Sequence, residues 1–208
     1  MLSIKAKDLI SIPQLVALAL QADGWWLRSD VIWAKKNPMP ESVTDRPTKA
    51  HEHVFLLAKS QRYFYDAGAI REAGVVPAGT LAAKGSAERA AAPGVNARPP
   101  EYKCYDGFRN ARTVWAIATE PSDLTHFALM PTELARRCIL AGCPKGGVVL
   151  DPFGGGGTTG LVAARHGRRA ILCELNSGYA EMARDRIARE WKEAPRAAPP
   201  EKPQGALL

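Results

Sequence analysis

The chain has 208 residues, 28 Lys and Arg against 21 Asp and Glu, and a formal net charge of +7. That length suits one domain with tails, and the positive excess favours a polyanionic partner. No segment is apolar over the length a membrane helix needs, the N-terminus is no signal peptide, and the four cysteines lack zinc or thioredoxin spacing.

In chain order, residues 13–22 read as a helix, with Leu15, Leu18 and Ala19 at helical spacing. Residues 27–33 and 54–59 are strand-like, with a long excursion between them. Residues 73–100 hold 17 Ala, Gly or Pro among 28 and show no useful periodicity, the pattern of a flexible insertion or a binding loop. Residues 132–141 read as a helix with Thr132 as N-cap. Residues 148–150 and 169–175 read as buried strands flanking a helix over 158–166 that Gly167 closes. Asn176 opens a last helix whose Tyr179, Met182, Ala183 and Ile187 form one apolar face. Cys138 and Cys173 fall on apolar patterns and are expected in the core. The tail from Pro195 is expected to be disordered.

The most informative stretch is residues 148–175. An apolar strand runs into Asp151-Pro152-Phe153 and four glycines, a helix starts at Thr158-Thr159, and a second strand ends on Glu174. Glycines let a backbone approach a ligand closely, and the first turn of a helix presents unpaired N–H donors. A carboxylate at the tip of the second strand accepts hydrogen bonds from a ribose diol. An adenosine-bearing cofactor follows, with three candidates. A phosphate-binding loop requires a lysine after the glycines, and none is present. Gly155, Gly157 and Gly160 satisfy the dinucleotide spacing Gly-x-Gly-x-x-Gly, but that fold needs a second mononucleotide half, and little chain follows Glu174. The third candidate is S-adenosylmethionine.

Residues 151–160 resemble the glycine loop of the DNA methyltransferases that modify exocyclic amines, N4 of cytosine or N6 of adenine, where Asp-Pro-Phe-x-Gly-x-Gly-Thr-Thr is the rule. The resemblance extends to Lys7-Asp8-Leu9-Ile10-Ser11-Ile12-Pro13, to Gly24-Trp25-Trp26-Leu27-Arg28-Ser29-Asp30-Val31-Ile32-Trp33-Ala34-Lys35-Lys36-Asn37-Pro38, and to Pro40-Glu41-Ser42 through Asp45-Arg46-Pro47-Thr48 and His51-Glu52. It covers most of residues 7–66 and 109–190. The motif order is similar to that of the circularly permuted group, in which target recognition precedes the cofactor loop. The implied fold is an α/β, incomplete doubly wound (Rossmann-like) S-adenosylmethionine-dependent methyltransferase fold with an irregular inserted target-recognition region. The implied divisions are an edge-strand portion over 1–66, a variable region over 67–112, a cofactor portion over 113–194 and the tail over 195–208.

One departure bears on activity. The family holds the target amine with Asp/Ser/Asn-Pro-Pro-Tyr/Trp, and no Pro-Pro-Tyr or Pro-Pro-Trp occurs here; Pro99-Pro100-Glu101-Tyr102 is the nearest echo. An exocyclic amine is a poor nucleophile, and the enzyme must extrude the base and align the amine with the activated methyl. The chain is therefore expected to be a truncated form inactive alone; the alternatives are one chain of a split methyltransferase, completed by a companion chain, and a non-catalytic DNA- and cofactor-binding module.

The resemblance implies a set of site residues, with no catalytic residue and no metal among them. Cofactor contacts fall on His126, Phe127, Ala128, Asp151, Phe153, Gly154, Gly156, Thr158, Thr159 and Glu174. Asp151 either meets the cofactor's amino-acid moiety or orders the loop, and Phe153 either packs on adenine or fills core. Contacts to double-stranded DNA fall on Trp33, Lys35, Asn37, Arg46, Thr48 and Lys49, with Trp33 either stacking on the extruded base or packing in the core. No membrane association is expected, and a reducing cytoplasm is the natural location.

Overall fold

The first helix, α1 (Ile12–Ala22), carries Pro13 in its opening turn, where the missing N–H is no loss. It stops at Asp23 and Gly24, the latter at φ 94. Only Ala17 is fully buried, and Gln14 and Leu20, one turn either side, are half-buried. Leu15, Leu18 and Ala19, the residues at helical spacing, are exposed. The computed structural model to which these elements belong describes residues 4–83, 102–120 and 129–191. It comprises two units, Met1–Asp66 with Arg112–Leu208, and Ala67–Ala111.

In the larger unit, β1 (Trp26–Lys35) pairs antiparallel with β2 (His51–Ala58), from Trp26 opposite Ala58 to Ala34 opposite His51, with an irregularity at Leu27/Ser29. The other edge of β1 pairs parallel with β7 (Val114–Ile117). Both strands run longer or earlier than their apolar cores suggest, because backbone pairing continues through His51 and Lys35. Alternation puts Val31 and Trp33 of β1 on the same face as Trp115 and Ile117 of β7, and all four are buried. The helix α2 (Thr132–Gly142) links this sheet to the rest: Asp66 N–H donates to Ala141 O at 2.9 Å, and the Arg137 guanidinium lies 5.4 Å from the Trp115 ring centre. Thr132 is the first helical residue and not the cap. The Glu120 carboxylate, from outside the helix, accepts both its N–H (3.1 Å) and its hydroxyl (2.7 Å), a negative charge placed at the positive end of the helix.

The remaining elements of this unit form one βαβ turn and a closing helix. The strands β8 (Val148–Asp151) and β9 (Arg169–Leu172) pair parallel, joined through α3 (Thr158–Arg165). The final helix, α4 (Ser177–Trp191), packs on α3. Asn176 caps it as expected, its Oδ1 accepting the N–H groups of Gly178 and Tyr179. Ala135, Ile139, Val162 and Ala163, with Val149, form the core between α2, α3 and one face of the pair.

Two expectations are corrected here. The strands β8 and β9 are not buried: Val148, Leu150 and Ile171, which share one face by their register, are 46%, 63% and 56% exposed. Parallel strands are ordinarily covered on both faces, yet among the described residues β8 pairs only with β9 and this face is bare. Cys173, just beyond β9, and Cys138, on α2, are also exposed, while Cys143 is the buried cysteine. Desolvation around Cys138 nonetheless pushes its thiol up to about 11.

The smaller unit is built on two short antiparallel pairs, β3 (Glu72–Ala73) with β6 (Phe108–Arg109) and β4 (Leu81–Ala83) with β5 (Tyr102–Cys104). Arg109–Glu72 and Arg71–Asp106 ion pairs tie it together, and the Arg71 guanidinium holds the Asp106 carboxyl down at about 2. Sequence periodicity gives no sign of these strands because each is only two or three residues long. Residues 84–100 of the Ala/Gly/Pro-rich stretch and the tail over 195–208 lie outside the described residues.

Candidate cofactor site

The loop between β8 and α3 is held by the two carboxylates at the strand tips. Asp151 Oδ1 accepts the Phe153 N–H at 3.0 Å, and its Oδ2 accepts the Thr159 hydroxyl at 2.6 Å. Glu174 reaches across from the end of β9: Oε2 accepts the Gly155 N–H at 2.9 Å and Oε1 the Asn176 N–H at 2.8 Å. The ladder continues into the loop, with Cys173 N–H to Asp151 O and Gly154 N–H to Cys173 O, both at 2.8 Å. Asp151 thus orders the loop directly.

The glycines are required by packing as well as by conformation. A Cβ on Gly154 would lie 2.9 Å from the Leu172 Cβ, and one on Gly157 would lie 2.8 Å from the Ala183 Cβ. Gly155 and Gly157 also have φ of 47 and 78, the left-handed region. The loop therefore lies close against β9 and α4, with its polypeptide held open toward a cavity of about 290 Å³. That cavity is lined by Asp151, Phe153, Gly154, Gly156, Thr158 and Thr159 together with Glu174. These are seven of the ten residues nominated for the cofactor. His126, Phe127 and Ala128 lie outside the described residues. Core filling is excluded for Phe153, a residue 87% exposed at the cavity. Leu129, Met130, Gly155 and Tyr179 also line the cavity. Sequence reading placed Tyr179 on the packing face of the last helix; its spacing three residues after the Asn176 cap, which puts it in the first turn beside the loop, was the available signal.

The donor set fits an adenosine-bearing cofactor. Two acidic groups at neighbouring strand tips, buried glycine backbone and the first turn of α3 supply acceptors and donors around one small cavity.

The residues nominated for DNA lie near the far end of β1 and in the excursion that follows it. Trp33 is 6% exposed, and its Nε1–H donates to Ile117 O at 2.9 Å, so its ring is part of the sheet core. Lys35 pairs with Glu52 and lies 5.0 Å from the Trp33 ring centre. Asn37 clasps Thr119, accepting its N–H at 2.8 Å and donating to its carbonyl at 3.4 Å. Arg46 donates to Glu41 and to Pro47 O. Thr48 and Lys49 are exposed. Lys35 and Lys49 meet at a second cavity, of about 460 Å³, whose wall includes His51, His53, Glu41 and Glu52. There His53 is held between Asp30 (3.0 Å) and Gln14 (2.9 Å).

A sequence profile described as DNA methylase matches residues 4–185. Type II methyltransferase M.Cfr9I from Citrobacter freundii is 45% identical over 187 residues, 90% of this chain and 53% of that protein. Type II methyltransferase M.SmaI from Serratia marcescens is 46% identical over 186 residues, 89% and 54% respectively. The chain thus spans about half the length of the curated relatives it matches. Among solved structures, the cytosine-N4-specific PvuII DNA methyltransferase superposes with a TM-score of 0.61 at 18% identity, over 92% of this chain and 66% of that one. At that identity the likeness establishes the fold.

Proposed function

The chain belongs to the DNA methylase family, and on that premise we propose that it forms the S-adenosylmethionine-binding and DNA-facing part of a site-specific methyltransferase acting on the exocyclic amine of adenine (N6) or cytosine (N4). The observation that carries this reading is the glycine loop clasped between Asp151 and Glu174 around a 290 Å³ cavity. When bound, the cofactor's sulfonium supplies an electrophilic methyl group, so neither metal nor covalent nucleophile is needed. Glu174 accepts the ribose hydroxyls while holding Gly155. Phe153 offers its exposed ring to the adenine. The Asp151–Thr159 bond keeps the first turn of α3 in place beside the amino-acid moiety.

The Pro-Pro-Tyr/Trp motif that would hold the target amine does not occur in these 208 residues. Methyl transfer therefore draws it from polypeptide outside these 208 residues. The exposed face of Val148, Leu150 and Ile171 and the pairing of β8 with β9 alone among the described residues support a docking place for that polypeptide. Beside them lies an apolar cavity of about 500 Å³ bordered by Ala135, Cys138, Ile139, Val148 and Val149. Thr48 and Lys49, exposed, and Lys35 and Arg46, ion-paired, supply hydroxyl and charge for the DNA backbone, with Trp33 and Asn37 shaping the strand end behind them. The proposed location is the cytoplasm; no helix among the described residues is long and apolar enough to cross a membrane.

The second reading, a non-catalytic module that binds DNA and cofactor, is favoured by the missing motif alone. Calorimetric titration of S-adenosylmethionine into the chain and its Glu174→Ala variant tests the pocket: the variant should bind at least tenfold more weakly, and equal affinity sinks the assignment. Adding a polypeptide that carries the motif and measuring labelled methyl on DNA separates the two readings. Transfer supports the enzyme part, and cofactor binding without transfer supports the module.

A further inference from the structure

Four consecutive glycines are an unstable way to build a binding surface, because each peptide between two glycines flips at little steric cost. The peptide joining Gly156 to Gly157 is nonetheless anchored at both ends. Its N–H donates to Gly154 O at 2.9 Å, and its carbonyl accepts from Arg186 Nη1 on α4 at 3.1 Å. The same nitrogen donates to the Thr158 Oγ at 3.0 Å. Gly156 and Thr158 both line the 290 Å³ cavity, while Arg186 holds them from outside its wall. Nε of Arg186 donates to Glu190 at 3.3 Å, and the other Glu190 oxygen accepts from Arg165 at 2.8 Å, in the last turn of α3. One ionic network on α4 therefore grips both ends of α3.

Electrostatics argue that this arrangement is specific. A cation beside the start of a helix opposes the helix dipole. The Arg186 side chain is only 13% exposed, so solvent screens that opposition weakly, and Glu190 offsets it. An uncharged side chain would pack there without the opposition; what the guanidinium adds is two donors to the loop from one nitrogen, with a fixed planar geometry.

We propose that Arg186 is the positioning residue of the cofactor loop, locking the Gly156–Gly157 peptide in one orientation so that the cavity wall is formed before the ligand arrives. The inference rests on the reading of that cavity as a cofactor site, but the lock itself exists without ligand. A preformed wall spares the ordering entropy that binding would otherwise incur, so losing the lock weakens affinity without removing any contact to the ligand.

The experiment compares the full chain with Arg186→Met, Arg186→Lys and the milder Glu190→Gln. Amide hydrogen exchange over residues 152–160 is read without ligand, and S-adenosylmethionine affinity by calorimetry. Arg186→Met should speed exchange in that segment at least tenfold, leave exchange in β1 and β2 at the wild-type rate, and weaken affinity about tenfold. Lys should recover part of both losses, since its ammonium also donates to two acceptors, and Glu190→Gln should fall between Arg186→Lys and the wild type. Unchanged exchange in the segment overturns the lock. So does a uniform rise across β1 and β2, which would make Arg186 a general stabiliser, or a Lys variant as damaged as Met. If the segment responds as described while the wild type binds no S-adenosylmethionine, the lock stands and the cofactor reading fails.

Discussion

Gly157→Ala puts the close packing of the loop on α4 to a quantitative test. Gly157 has φ 78, and a left-handed backbone costs an L-residue about 1–2 kcal/mol. Its new Cβ would meet the Ala183 Cβ at 2.8 Å and Cα at 3.1 Å, backbone-anchored atoms that cannot swing aside. Overpacking of this kind costs roughly 1–3 kcal/mol. The sum is about 2–5 kcal/mol, and for a chain of this size each kcal/mol lowers the melting point by roughly 2–4 °C. Gly160→Ala is the internal control. Its Cβ would also approach neighbours at 2.8 Å, but these are the terminal Cδ1 atoms of Ile187 and Leu172, which can rotate, and its φ is not positive. Alanine also gains about 1 kcal/mol of helix propensity there, so the net change should be small. Urea unfolding followed by tryptophan fluorescence measures both. Ala183→Gly alone loses about 1 kcal/mol of helix propensity, but the double variant should be about 1 kcal/mol more stable than the sum of the two single changes, because it removes the Cβ contact but not the backbone strain. Equal stabilities of Gly157→Ala and Gly160→Ala, or no coupling to Ala183→Gly, would refute the packing argument.

Burial first, and then the nearby Arg136, Arg168 and Arg165, hold the His166 imidazole below its ordinary value of 6.5. The unfolded chain therefore takes up this proton more readily than the folded one. The contribution of His166 is fully present above about pH 6.5 and is lost as pH falls toward the lowered folded value. The urea midpoint should fall between pH 7.5 and 5.5, and His166→Asn should flatten that slope; an unchanged slope refutes the assignment. Cys138, whose thiol desolvation pushes up from 9.0 to about 11, carries roughly a hundredfold less thiolate at pH 8 than an ordinary cysteine. Mass-spectrometric timing of iodoacetamide labelling should show Cys138 modified on that slower scale although the residue is exposed, and ordinary labelling speed would contradict it.

The βαβ turn was legible residue by residue because its signals are local. Val148 to Asp151, the glycines, the Thr158 start and the Asn176 cap each follow from backbone geometry within a few positions, and the structure brings Asp151 and Glu174 to the same loop. The strands of the smaller unit were illegible because two or three residues carry no period. Thr132 was misread for a related reason: a threonine before an apolar run looks like a cap, and only folding brings Glu120, twelve positions away, to take that place.

Burial was the property that local pattern could not supply. An apolar side chain in a strand reads as inward wherever it stands, so Val148, Leu150, Ile171 and Cys173 looked like core. Whether such a side chain is covered depends on which elements lie over it, and these four are uncovered. The sequence by itself therefore determined the four helices, the strands β1, β2, β8 and β9, the glycine loop and the family. The tertiary structure alone decided that Trp33 packs inside the sheet, that Phe153 stands at the cavity, that Arg186 grips the loop from α4, and that one face of the β8–β9 pair is open, because each is a contact, or a missing contact, between residues far apart in the chain.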